Sequence, residues 1–313
     1  MKHRNFSVEN DGFYGAYWKN STETNAGIIA MVGDDIEDHM AKSFVKWFHR
    51  LGLNVMTMSP AKKDYSHHNY PLDRIETAMK WLMEQGNLKV GIIGASTTAM
   101  VSLAAASRFP DITLTIALSP SDFIWQGFER GNLDDCKEWP VEGESTVSFR
   151  GKPLPYMPFA HRHPDYWYSI VEKARVHGDM TYSRHLFDVP EQRGWLKEEH
   201  MIEIEKIRGR LVLVGADDDV LWDTVRYIQR MEQRLKKLEH YCSYAAYTYE
   251  HGTHFVFPQS ALQIMLPVGA DRFVNMAFSD AKNFPEECKK TRIDIDEKLK
   301  AEIANWKDGK LNK

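Results

Sequence analysis

Three side-chain types that together make a nucleophile, a base and an orienting acid follow one another along this chain. Ser96 lies in Ile93-Gly94-Ala95-Ser96-Thr97-Thr98-Ala99, directly after the apolar run LKVGII and before a stretch of small residues. This is the pattern of a sharp strand-to-helix turn, G-x-S-x-G, which lifts a serine hydroxyl clear of a sheet. Its last glycine is replaced by Thr98. A serine that only caps the following helix would look much the same.

A serine hydroxyl becomes a nucleophile when a base takes its proton and a carboxylate orients that base. Downstream, RLVLVGADDDVLWDT is a buried strand, a glycine and three aspartates. Asp218, three residues after Gly215, stands where the acid usually falls, with Asp217 and Asp219 as close alternatives. A polar loop with a helix-capping aspartate would read similarly. YAAYTYEHGTHFVFP then supplies His254 in a glycine-containing loop after another strand, while His251 reads as a loop histidine facing solvent. The order Ser, Asp, His, each after a strand, is that of an α/β-hydrolase. The expected triad is Ser96, Asp218 and His254.

The developing oxyanion needs two N–H donors. One is expected from Thr97 and the other from Asp34 or Asp35, after the strand GIIAMV. Two carboxylates beside an oxyanion would oppose it, so their side chains should point away, or one should cap the next helix.

The elements that must hold these residues alternate. Gly27–Val32, Leu53–Met58, Lys89–Ile93 and Thr113–Leu118 read as strands, and Arg210–Val214 and Tyr244–Tyr249 follow later. Asp38–Leu51, Leu72–Glu84, Thr98–Arg108 and a stretch near Thr224–Glu239 read as helices. Continuous apolar strands separated by helices predict a mostly parallel sheet covered on both faces. The first ~25 residues read as a short hairpin, and the charged piece after Glu286 as a peripheral helix. The rhythm breaks from Ser119 to about Lys206, an aromatic, loop-rich stretch without a clear strand. It reads as a cap inserted over the carboxyl edge of the sheet, where open α/β folds bind ligands. Residues 1–313 are read as one α/β-hydrolase domain carrying that cap.

Composition excludes several classes. Forty basic against 44 acidic residues give a net charge of −4, so no field favours nucleic acid or an anionic surface. No apolar run is long enough to span a membrane. Three scattered cysteines (Cys136, Cys242, Cys288) and an opening without a signal-peptide core point to the cytoplasm. No glycine-rich phosphate loop follows a strand, so no cofactor is expected. His67-His68 and His161/His163 lack acidic or cysteine partners at ligand spacing, so no metal is expected either. Trp125, Phe128 and Tyr156 are the candidate substrate-binding residues, with Phe159, Tyr166 and Trp167 nearby. Lys62, Lys63 and Arg162 are candidate phosphate contacts.

AMKWLMEQGNLKVGIIGAST, RGKPLPYMPF, EKIRGRLVLVGADDDVLW and YEHGTHFVFP fall in order between Gly27 and Pro258. In these segments the chain resembles the carboxyl-terminal catalytic domain of acyl-CoA thioesterases and bile acid-CoA:amino acid N-acyltransferases. The resemblance implies an α/β-hydrolase fold, a Ser/Cys–Asp–His triad and an acyl-CoA substrate. It departs at Thr98, at the Gly33-Asp34-Asp35 loop, and in leaving no room for the family's amino-terminal immunoglobulin-like domain. Because the family's transferases use cysteine, Ser96 favours hydrolysis. The expected function is a serine hydrolase acting on a small-molecule ester or thioester. An acyltransferase, or an inactive hydrolase-fold binding protein, is the alternative; a homo-oligomer is compatible with everything above.

Overall fold

The apolar runs between Gly27 and Val214 become neighbouring strands because they are buried on both sides and have only their neighbours to satisfy their backbone. The computed structural model describes residues 3–61, 66–130 and 138–310; Lys62, Lys63 and Cys136 lie outside them. The main sheet has eight strands: β1 (Arg4–Phe6), β2 (Gly15–Trp18), β3 (Ala26–Met31), β4 (Asn54–Met58), β5 (Lys89–Ala95), β6 (Ile112–Leu118), β7 (Arg208–Ala216) and β8 (Tyr241–Tyr249). Their spatial order is β1-β2-β4-β3-β5-β6-β7-β8. β2 runs antiparallel to β1 and β4, and every other neighbouring pair is parallel. This is the α/β-hydrolase fold.

Successive strand residues face opposite sides, so the core divides in two. Ile92 and Leu213 pack on one face against Leu72, Met79, the helix Thr97–Ala106 and Met231. Ile93 and Val214 pack on the other against Phe44, Trp47 and Phe48 of the helix His39–Arg50. The carboxyl-terminal helix Pro285–Asp308 is not peripheral. It lays Ile295, Leu299, Ile303 and Trp306 on that second face and buries Arg292 completely. Its many charges hid a narrow apolar stripe.

Residues 119–206 also differ from the reading above, because they contain strands. Gln126–Arg130 pairs with Glu138–Ser145, and Val147–Phe149 with Lys152–Pro153 and Tyr70–Pro71. These are short, pair outside the main sheet, and are broken by glycine and proline, so no period-two pattern shows. The helices Asp165–His177 and Arg184–Gln192 complete this region. Among the described residues no helix is long and apolar enough to cross a membrane, and Cys242 and Cys288 are buried free thiols.

Candidate active site

Ser96 sits at the hinge between β5 and the helix Thr97–Ala106, with φ 60° and ψ −130°. A non-glycine residue in that region is strained and persists only where its surroundings hold it. Its N–H donates to Leu118 O on β6 at 2.9 Å. Its side chain makes no helix-capping bond, which removes the simple capping interpretation. Gly94 is required here, since a Cβ would stand 2.1 Å from Thr98 O. Thr98 fits because its side chain turns back toward β3. Its Oγ1 lies 2.5 Å from Met31 O and accepts the Ala95 N–H at 3.1 Å. The hydroxyl thereby ties the turn to the neighbouring strand, which a glycine would not do.

The Ser96 Oγ is 2.9 Å from His254 Nε2. On the other side of the ring, His254 Nδ1 is 2.8 Å from Asp219 Oδ2. Asp219, not Asp218, is therefore the carboxylate on the imidazole, and the expected partner is corrected. The cause is the turn after β7. Asp217 N–H still continues the ladder to Tyr249 O of β8, and the Asp217 side chain is exposed. Asp218 then faces the histidine loop, accepting Thr253 N–H at 2.7 Å. Asp219 is the first residue turned into the site and is fully buried. Its carboxylate also accepts Thr224 Oγ1–H at 2.5 Å and Leu221 N–H at 2.9 Å.

Two further contacts seat the histidine. Trp222 lies edge-on to the His254 ring at 4.9 Å and donates its indole N–H to Ser119 O. Ser119 Oγ–H in turn donates to His254 O at 3.1 Å. Neither residue was singled out from sequence, although Trp222 stands only three positions after Asp219. His251 does not face solvent: its Nδ1 lies 2.9 Å from Asp280 Oδ2 and its ring stacks on Phe284.

Thr97, at the first turn of its helix, lines the cleft, and no hydrogen bond from its N–H is seen among the described residues. The loop donors do not stand as expected. Asp34 N–H and Asp35 N–H both donate to Asp38 Oδ2, at 2.6 and 3.1 Å. Asp38 caps the helix His39–Arg50 through Ala41 N–H, so one carboxylate serves both the helix and the loop. The side chain of Asp35 does point away, accepting the Tyr14 hydroxyl at 2.6 Å. That contact and burial push the phenol well above its usual range, burial contributing most.

Ser96 and His254 open on a cleft of about 760 Å³. Trp125 and Phe128 line it, together with Phe159, Phe187, Trp222 and Phe255. Tyr156 does not line it. Its side chain is half-buried and packs against the first face of the core, and burial, with Glu142 and Glu144 nearby, raises its phenol above the usual range. Arg162 is exposed and 3.6 Å from Glu142, and the paired histidines separate: His68 meets Glu144 at 2.8 Å and the His163 ring lies against Trp139.

A family model described as BAAT / Acyl-CoA thioester hydrolase C terminal matches residues 71–264. A search of curated proteins by sequence gave no match. Solved structures resemble the fold at low identity. A sugar hydrolase from Lactococcus lactis is 13% identical with a TM-score of 0.53, covering 99% of this chain and 98% of that one. An alpha/beta hydrolase enzyme from a Medee basin deep-sea metagenome is 12% identical with a TM-score of 0.51, covering 98% of each.

Proposed function

The chain belongs to the BAAT / acyl-CoA thioester hydrolase C-terminal family, and from that premise we propose a serine hydrolase that cleaves an ester or thioester through an acyl-enzyme. The observation that carries the reading is the continuous relay Ser96 Oγ, His254, Asp219 at 2.9 and 2.8 Å. His254 Nε2 takes the hydroxyl proton as Ser96 Oγ attacks the carbonyl, then gives it to the leaving oxygen or sulfur. Asp219 holds the ring with Nδ1–H toward itself and stabilises the imidazolium that forms. Water, deprotonated by the same nitrogen, releases the acid.

Thr97 N–H is the first donor to the oxyanion. The second comes from the loop after β3, where Asp34 N–H reaches the oxyanion only by leaving Asp38. The acyl group occupies the aromatic cleft, whose lining is mostly apolar, with Arg175 and Asp179 also bordering it. An acyl-CoA substrate is the family's contribution to this reading.

The test is covalent labelling. A fluorophosphonate is expected to modify wild-type protein at Ser96, and Ser96→Ala should abolish the label. Wild-type protein that stays unlabelled would point to a binding protein on a hydrolase scaffold. With p-nitrophenyl esters and acyl-CoAs as substrates, product that appears only when an amine or alcohol is added would point to a transferase.

A further inference from the structure

A second cluster lies behind the histidine loop and takes no part in the steps above. Asp218 Oδ1 accepts Gly252 N–H at 3.0 Å and Thr253 N–H at 2.7 Å, and its Oδ2 lies 3.1 Å from Gly252 N. Asp280 Oδ2 accepts from His251 Nδ1 at 2.9 Å. One polar atom from each of Asp218, His251 and Asp280 falls within 4.8 Å of the others. The gripped backbone is unusual. Thr253 has φ 58°, a cost for a β-branched residue. Gly252 is packed so closely that a Cβ would stand 2.9 Å from the Ala216 side chain. Thr253 is therefore held in a conformation it would rarely adopt unaided, and Asp218 accepts the N–H groups of both residues before His254.

We propose that Asp218 is a positioning residue for His254, fixing the ring by gripping the backbone of Gly252 and Thr253, and that Asp280 with His251 behind it sets how firmly it grips. The inference rests on the reading of Ser96 and His254 as nucleophile and base.

A second carboxyl this close, partly out of water, makes Asp218 harder to ionise. Asp218 is held well above the usual carboxylate range, first by burial and then by the neighbouring Asp280 carboxyl, while the two backbone N–H groups pull the other way. Asp280 accepts from His251 Nδ1, and Asp218 accepts the N–H groups of Gly252 and Thr253. The groups facing this pair come from several elements. Glu250 lies 3.8 Å from His251 Nε2 on the loop itself. Cys288 approaches from the carboxyl-terminal helix, its thiol pushed up to about 12 by burial and by the charges of Asp218 and Asp280. Arg292 on that helix is committed to Asp271 and Gln259. Asp219 and the exposed Asp217 flank Asp218 in the chain.

A carboxyl whose value rises on folding contributes stability that is complete at low pH and is lost as the pH climbs through the raised value. Ionised Asp218 binds the two N–H groups more strongly but repels the Asp280 carboxyl, so on the alkaline side the cluster as a whole loses stability, and the seating of the loop should weaken as Asp218 is pushed from its place.

The experiment uses the full chain and three variants: Asp218→Ala, Asp218→Asn and Asp280→Asn. Two quantities are read: the rate of fluorophosphonate labelling at Ser96 across neutral and alkaline pH, and amide hydrogen exchange at Gly252 and Thr253. In Asp218→Ala, labelling should slow about tenfold or more and exchange of those amides should rise by a similar factor. Asp218→Asn keeps one acceptor oxygen and should slow labelling less. Wild-type labelling should decline on the alkaline side, and both Asp218→Asn and Asp280→Asn should flatten that decline. Unchanged exchange and labelling in Asp218→Ala, or a decline that persists in Asp280→Asn, would overturn the proposal. Should Asp218→Ala fail to fold, the pH profiles of the two amide variants decide. If wild-type protein takes no label, the assignment of Ser96 falls, and amide exchange in the variants alone then settles whether Asp218 holds the loop.

Discussion

A carboxylate as deeply buried as Asp219 is costly unless it is paired and hydrogen-bonded. Its three donors, His254 Nδ1, Thr224 Oγ1 and Leu221 N–H, meet that cost and fix its orientation. Replacing it by asparagine keeps the shape but lets the side chain donate to Nδ1, which moves the ring proton to Nε2, where the Ser96 proton must go. Asp219→Asn should lower kcat by about 10³ to 10⁴ with KM little changed. Asp217→Asn, at an exposed position, should stay within about twofold. Steady-state kinetics of the two variants on one p-nitrophenyl ester checks both, and equal losses would mean that the turn differs in solution. The sequence narrowed the imidazole's partner to three consecutive aspartates, and the spacing from Gly215 then favoured Asp218, one residue short of the carboxylate that meets the ring. Which one enters the site depends on where the β7–β8 ladder ends, a long-range property that Asp217 N–H settles by bonding Tyr249 O. Thr98 was illegible for a similar reason, since its partner Met31 O lies 67 positions away.

At the scale of elements, one residue links a helix to the candidate oxyanion loop. Asp38 caps the helix His39–Arg50 and also gathers the N–H groups of Asp34 and Asp35. Gly33, with φ 94°, is the turn that makes this possible, because a Cβ there would stand 2.5 Å from the Asp38 carboxylate. Asp38→Ala removes the cap and should cost about 1 to 2 kcal/mol of stability. Urea denaturation should show a lower midpoint with an unchanged slope, and an equal midpoint would mean that water replaces the cap without cost. The capping signal is present in the sequence, an aspartate directly ahead of an apolar helical pattern, but the two aspartates nearer the strand offer the same side chain to the same helix. Elsewhere, long elements were legible within a few residues, because each carries its own apolar period. The strands Gln126–Arg130 and Glu138–Ser145 were not, because their pattern is set by one another and is interrupted by a bulge at Gly127, where a Cβ would meet Ser145 O at 2.7 Å.

At the scale of the molecule, the cleft exists only where two separately built regions meet. The sheet edge supplies Ser96, His254 and Leu221, and residues 119–206 supply Trp125, Phe159, Ile170, Ala174 and Phe187. Neither region encloses the space alone, so an acyl chain bound there is desolvated by both. Burying a methylene contributes about 0.8 kcal/mol, which is about fourfold in an equilibrium. If ground state and transition state share this contact, kcat/KM should rise about fourfold per methylene along a series of p-nitrophenyl esters. It should level off once the cleft is filled. Ala174, buried in the helix Asp165–His177, faces the cleft. Ala174→Trp takes up part of that volume, so the plateau should move to shorter chains while the slope below it persists. A flat series in wild-type protein, or a plateau unmoved by the tryptophan, would place the acyl chain outside this cleft and leave the aromatic lining as packing between the two regions.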